Sequence, residues 1–209
     1  MTPLQSELHR LFSVATTPAD ADTVRGLVME LAGPPDWRPL SAVWQGVQAE
    51  LDLPAPAIAV NGVDAMQLWF SWTQPVPAAQ ARAFLQALRQ RYLPDIDPAR
   101  VRLHPASGDA VPGQRDDNWS AFVAPDLAPV FGDTPWLDIP PNEEGQAALL
   151  RALQPMKPPA FAAALARLGP AQVLSPAGTS DGPRAFLERV MQDETVALAL
   201  RIEAAKALL

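Results

Sequence analysis

The chain has 209 residues, 23 acidic against 16 basic, a formal net charge of −7 and no cysteine. Without cysteine there is no disulfide framework, no thiolate nucleophile and no cysteine-ligated zinc. The acidic balance excludes a surface given over wholly to phosphate neutralisation, which needs Lys and Arg. Hydrophobic residues make up 48% and charged residues 19%, the composition of a folded chain able to build its own core. No apolar run reaches the roughly eighteen residues a membrane span needs. The opening MTPLQSELHRLFSVATTPAD carries acids, a histidine and an arginine where a secretory signal has a basic start and an apolar stretch, so a cytoplasmic location is expected. Fourteen of the sixteen basic residues are Arg, and with 24 prolines this reads as the coding bias of a GC-rich bacterial genome.

From Pro3 to Leu53 the apolar spacing predicts helices: Leu4, Leu8, Leu11 and Phe12; then Val24, Leu27, Val28 and Leu31; then Leu40, Val43, Trp44, Val47 and Leu51, stopped by Pro54 and Pro56. Ala57 to Val60 is a short apolar run, Asn61-Gly62-Val63-Asp64 supplies turn chemistry, and Met66 to Trp72 is rich in aromatics, which together predict a β-hairpin. Alternation puts Met66, Leu68, Phe70 and Trp72 on a core face and Gln67, Trp69 and Ser71 on a second, half-exposed one. Ala78 to Leu93 is an amphipathic helix ended by Pro94. Arg100 to His104 reads as a third strand and Trp119 to Val123 as a fourth, with a polar loop from Pro105 to Asn118 between them. The proline-rich stretch from Asp126 to Pro141 is irregular, with Phe131, Trp136, Leu137 and Ile139 against the body of the fold. Asn142 caps a helix through Leu153, and a further helix runs from Pro159 to Leu168. Residues 169–182 form a linker. Residues 183–209 form a helical hairpin that packs on this domain or on a protein partner.

The expected fold is therefore α+β: an antiparallel or mixed sheet of about four strands covered by helices. It is divided into a helical segment 1–53, a core 54–168, the linker and the hairpin.

Candidate chemistry is sparse. The two histidines, His9 and His104, fall on different elements, so no zinc motif at helical spacing exists, and no nucleophile elbow or glycine-rich phosphate loop is present. No catalytic set, cofactor or metal site is assembled. Asp95 and Asp97 are the weak carboxylate pair to consider for a cation, against the simpler reading of a solvated turn. Strand alternation directs Arg100, Arg102 and His104 to one face, a cluster able to grip phosphate or carboxylate. The competing expectation pairs these cations with acids on a neighbouring element. Gln67 and Trp69 complete the candidate ligand-binding set, Trp69 either stacking on a base or lying buried under a helix.

The run Leu53 to Gly62, followed by Leu68-Trp69-Phe70 and then Gln74-Pro75-Val76-Pro77-Ala78-Ala79, resembles the archaeo-eukaryotic primase-polymerase superfamily. The layout from Asn118 through Ile139 to the helix at Glu143 follows in the same order. The resemblance implies binding of a nucleotide or single-stranded nucleic acid. Gln67 stands where that superfamily places its nucleotide-binding His, and no Asp-x-Asp pair precedes the hairpin, so the resemblance implies a copy without polymerase activity. The tail from Phe186 to Leu208 is similar to helical segments of prophage proteins, including small subunits of packaging enzymes, which implies a mobile-element origin. The alternative function is a protein-interaction or assembly module acting through these C-terminal helices.

Overall fold

The computed structural model describes residues 1–13, 22–34, 36–106 and 111–169; the linker expected beyond Gly169 and the helical hairpin lie outside them. Five α-helices and six strands follow one another as α1 (Pro3–Phe12), β1 (Thr23–Ala32), α2 (Trp37–Ala49), β2 (Ala57–Val60), β3 (Ala65–Pro77), α3 (Ala78–Tyr92), β4 (Val101–Pro105), β5 (Gly113–Arg115), β6 (Asn118–Val123), α4 (Glu143–Arg151) and α5 (Pro158–Leu168). Every strand pair is antiparallel, in the order β4-β1-β3-β2-β6-β5. The α+β class expected from the sequence holds, with six strands in place of about four. The four expected strands are β2, β3, β4 and β6.

The first of the two additional strands, β1, is the main correction. The spacing of Val24, Leu27, Val28 and Leu31 fits a helix, but residues 26–32 are all buried, because this strand lies inside the sheet with a helical layer on each face. A strand covered on both sides loses its alternation and reads as a continuous apolar run, which periodicity cannot separate from a buried helix. The second, β5, is three residues inside the segment expected to be a polar loop.

Sequential elements β1-α2-β2-β3-α3-β4, with β1 and β3 in the middle and both helices on one face, make the ferredoxin-like arrangement. On that face Leu40, Val43 and Val47 of α2, Phe84, Leu85 and Leu88 of α3, and Phe161 of α5 pack on Leu27, Met29, Leu31, Ile58, Met66, Leu68, Phe70 and Trp72. Edge-on rings at 5.2–6.4 Å join Phe84, Phe161 and Trp72. The second face is closed as well. Leu4, Leu8, Leu11 and Phe12 of α1, with Ala147 and Leu150 of α4, cover Val28, Ala57, Ala59, Trp69 and Phe122. Gln67, Trp69 and Ser71 are thus buried, not half exposed. In the irregular stretch before α4, Phe131 and Leu137 pack on the core as expected, whereas Ile139 is exposed.

Local chemistry fixes the ends of these elements. Thr2 and Gln5 form a reciprocal capping box on α1, Asp36 caps α2 and Asn142 caps α4. In the β2–β3 turn the Asn61 side-chain oxygen accepts from the N–H groups of Val63, Asp64 and Ala65 at 2.9 Å each. Gly62 there has φ +83°, and a Cβ would lie 2.8 Å from the Ser120 nitrogen, so glycine is required on two counts.

The register of β1 against β3 shifts between Val24 and Gly26, and this bulge re-aims Arg25. Its guanidinium donates to the carbonyls of Arg10, Ser13 and Trp72, tying the end of α1 to the sheet. Arg10 in turn donates to the carbonyls of Leu150 and Leu153 at the end of α4. Beside the bulge, a Cβ on Gly26 would stand 2.6 Å from that of Ala106 and 2.9 Å from the Phe12 ring. Gly26→Val should therefore cost about 1–3 kcal/mol through overpacking, read as a lower urea midpoint with an unchanged slope; an unaltered midpoint would contradict the close approach of α1.

Candidate functional site

Strand β4 is the edge of the sheet next to β1, with Glu30 opposite Arg102 and Val28 opposite His104. These side chains share the second face of the sheet with Gln67 and Trp69, since Glu30 also lies opposite Gln67 on β3. Three polar residues from the two flanking strands, Gln67 of β3 and Arg102 and His104 of β4, meet there around one buried carboxylate.

Glu30 is the centre. Its side chain is 8% exposed, whereas those of Arg102 and His104 are 57% and 39% exposed. Gln67 Nε2 donates to Glu30 Oε2 at 2.6 Å, and Arg102 donates to Oε1 at 3.1 Å. His104 Nε2 stands 3.8 Å from Oε2, a charge pairing and not a hydrogen bond. On the far side Trp69 Nε1 donates to Gln67 Oε1 at 2.8 Å, so Gln67 relays between the indole and the carboxylate.

Burial pushes the Glu30 carboxyl upward, but His104, Gln67 and Arg102 together outweigh it and hold the group below its ordinary 4.5. The Glu30 carboxylate raises His104 above 6.5 against the opposing effects of burial and of Arg102, and the Pro105 carbonyl, 3.2 Å from Nδ1, adds to the rise. With both ring nitrogens turned to acceptors, the imidazole is arranged for its charged form. Arg102 commits one nitrogen to Glu30 and presents the rest of its fork to solvent.

The remaining candidates lie apart. Arg100 does not share the face of Arg102 and His104: it belongs to a 3-10 turn, Pro98–Arg100, because pairing with β1 begins only at Val101 opposite Leu31. Its guanidinium donates to the carbonyls of Ala32, Gly33 and Pro34, fastening the loop between β1 and α2. Trp69 is 1% exposed, wedged edge-on against Phe12 and Phe122 at 5.1 and 5.3 Å, so its ring faces no solvent on which a base could stack. Asp95 and Asp97 are exposed in the turn before β4, and the Asp97 carboxylate accepts from Ala99 N–H as the cap of the 3-10 turn. Among the described residues no three His, Asp or Glu side chains gather in an arrangement that would hold a metal ion, and no helix is long and apolar enough to cross a membrane.

Glu30 is the residue that the sequence pattern did not single out. Its signal was a lone acid inside the apolar run from Leu27 to Ala32, a pattern that a buried partner network explains and a solvent-facing helix does not. In comparison with known proteins, the chain matches no protein-family model and no curated protein.

Two outcomes follow for this cluster. Gln67→Leu leaves the Trp69 indole N–H and Glu30 Oε2 without their hydrogen bonds and should cost about 1–3 kcal/mol in chemical denaturation; a loss below that range would show that the relay is not required. For pH, His104 is raised, so its contribution to stability is complete below 6.5 and disappears as pH climbs through its folded pKa. Glu30 is lowered, so its contribution is present above 4.5 and is lost as pH falls through its own folded value. NMR titration of the His104 ring in Glu30→Gln should move its midpoint downward from that of the wild-type protein; an unmoved midpoint would dissolve the pairing.

Proposed function

We propose that this chain is a non-catalytic, primase-polymerase-like binding module that takes a phosphate-bearing ligand, a nucleotide or single-stranded nucleic acid, on the Arg102–His104 face of β4. One observation carries the reading: two cationic side chains stand on one face of an edge strand, paired with a buried carboxylate, with the Arg102 side chain 57% exposed. With His104 protonated, the cluster of Arg102, His104 and Glu30 holds a net positive charge on an otherwise acidic chain. Arg grips phosphate through paired N–H donors, and the prior fixing of Arg102 by Glu30 reduces the ordering lost on binding.

The absence of catalysis in this reading rests on Gln67. It occupies the place at which the resemblance requires a nucleotide-binding His, and both ends of its amide are committed inside the protein. Base stacking on the adjacent sheet face is no part of the proposal, because platforms of that kind need exposed aromatics. Phosphate contacts provide the affinity instead, which makes binding salt-dependent and tolerant of base sequence.

Calorimetry with nucleotides and single-stranded oligonucleotides at low salt tests this. Arg102→Ala should weaken binding about 10- to 100-fold, the loss of one charge-assisted contact. Affinity should also fall as pH rises through the raised pKa of His104. No heat at millimolar nucleotide or micromolar oligonucleotide, or an Arg102→Ala variant that binds as wild type, would remove the reading.

A further inference from the structure

The other face of β4 carries a separate feature. Val101 and Leu103, half-buried, form the floor of a groove of about 510 Å³ whose far wall is α3, with Arg82, Gln86 and Arg89 along it and Pro98 at one end. Arg82 and Arg89 are two helical turns apart, about 10 Å. Among the described residues neither has a carboxylate partner, whereas Arg91 on the same helix is paired with Glu50.

The backbone at this edge is open as well. Ala106 N–H donates to the Gly26 carbonyl, which fixes the alternation: residues 102 and 104 exchange hydrogen bonds with β1, and residues 101, 103 and 105 direct theirs outward. Val101 N–H is used within the 3-10 turn, and Pro105 has none. The Leu103 N–H and C=O and the Val101 C=O are left as a short template. Among the described residues no strand pairs with that side of β4.

From this juxtaposition we infer that the α3–β4 groove docks an extended acidic peptide, which adds as a strand to β4 and sets alternate Asp or Glu side chains against Arg82 and Arg89. Strand addition supplies backbone hydrogen bonds, and side chains at every second position supply the selection. The acidic character follows from two cations that have no carboxylate partner within the described fold. The proline at one end and the engaged Val101 N–H at the other keep the template short.

The test is fluorescence anisotropy of the full chain with a short labelled peptide alternating Glu and Val, its Lys–Val counterpart, and a labelled oligothymidylate. The Glu–Val peptide should bind, the Lys–Val peptide should not, and the double variant Arg82→Glu/Arg89→Glu should reverse that preference by tenfold or more in each direction. N-methylation of alternate peptide nitrogens should abolish binding in one of the two possible sets and spare it in the other, a readout made on the wild-type protein and independent of how the variant folds. Arg102→Ala should leave the peptide affinity unchanged, which keeps this site distinct from the phosphate site. The proposal is overturned if the Glu–Val peptide binds no better than the Lys–Val peptide, if both N-methylated sets bind equally, or if oligothymidylate is the ligand that responds to the charge reversal.

Discussion

From Leu27 to Ala32 of β1 and from Ala65 to Trp72 of β3, neither face of the sheet is left for water. Helices α2, α3 and α5 close one side and α1 and α4 the other, so a polar side chain between Leu27 and Ala32 or between Ala65 and Trp72 must find its partners inside the protein, and among the described residues the Trp72 indole N–H is left without one. Glu30 and Gln67 are the consequence. A carboxylate placed in such a layer costs free energy unless charge and hydrogen bonds surround it, and the adjacent edge strand lets cations reach it without being buried themselves. Arg102 and His104 stand there, half in solvent. Core and candidate site are thus one arrangement viewed from two directions: the double layer demands a neutralised Glu30, and its neutralisation places two cations on the rim.

Elements whose polarity alternates were legible in the sequence. The β2–β3 hairpin, α3, β4, β6, α4 and α5 all fall where composition and spacing put them, because one side of each still faces water or a turn residue marks its end. Strand β1 was not legible, for the reason that makes it central: burial on both sides erases the period of two, and chance spacing of Val24, Leu27, Val28 and Leu31 mimics the period of a helix. The same burial hid Glu30. Arg100 was misplaced by a single residue of register, since nothing in Pro98-Ala-Arg announces that the strand waits for Val101. The pairing of Arg102 and His104 with an acid on a neighbouring element was among the sequence expectations; the identity of that acid was not.

Gln67 stands where the proposed likeness to primase-polymerases would call for a histidine. A histidine there would bring a titrating ring to a place where the structure has an amide linking Trp69 to Glu30. The amide has one donor end and one acceptor end, matched to an indole N–H on one side and a carboxylate on the other, and it carries no charge of its own to desolvate. Glutamine suits a closed sheet face, in which a residue meant to meet a ligand would find α1 in the way.

The fastening of α1 has a bearing on how this sequence can diverge. Arg10 and Arg25 reach backbone carbonyls, those of Leu150 and Leu153 at one end and of Arg10, Ser13 and Trp72 at the other. A carbonyl is present whatever side chain the residue carries. Substitution at the receiving positions therefore leaves the clamp intact so long as the backbone keeps its path, and the two arginines bear the constraint. Variants of this chain substituted along α1 and α4 can keep the same docked helix, whereas replacement of either arginine removes its half of the clamp.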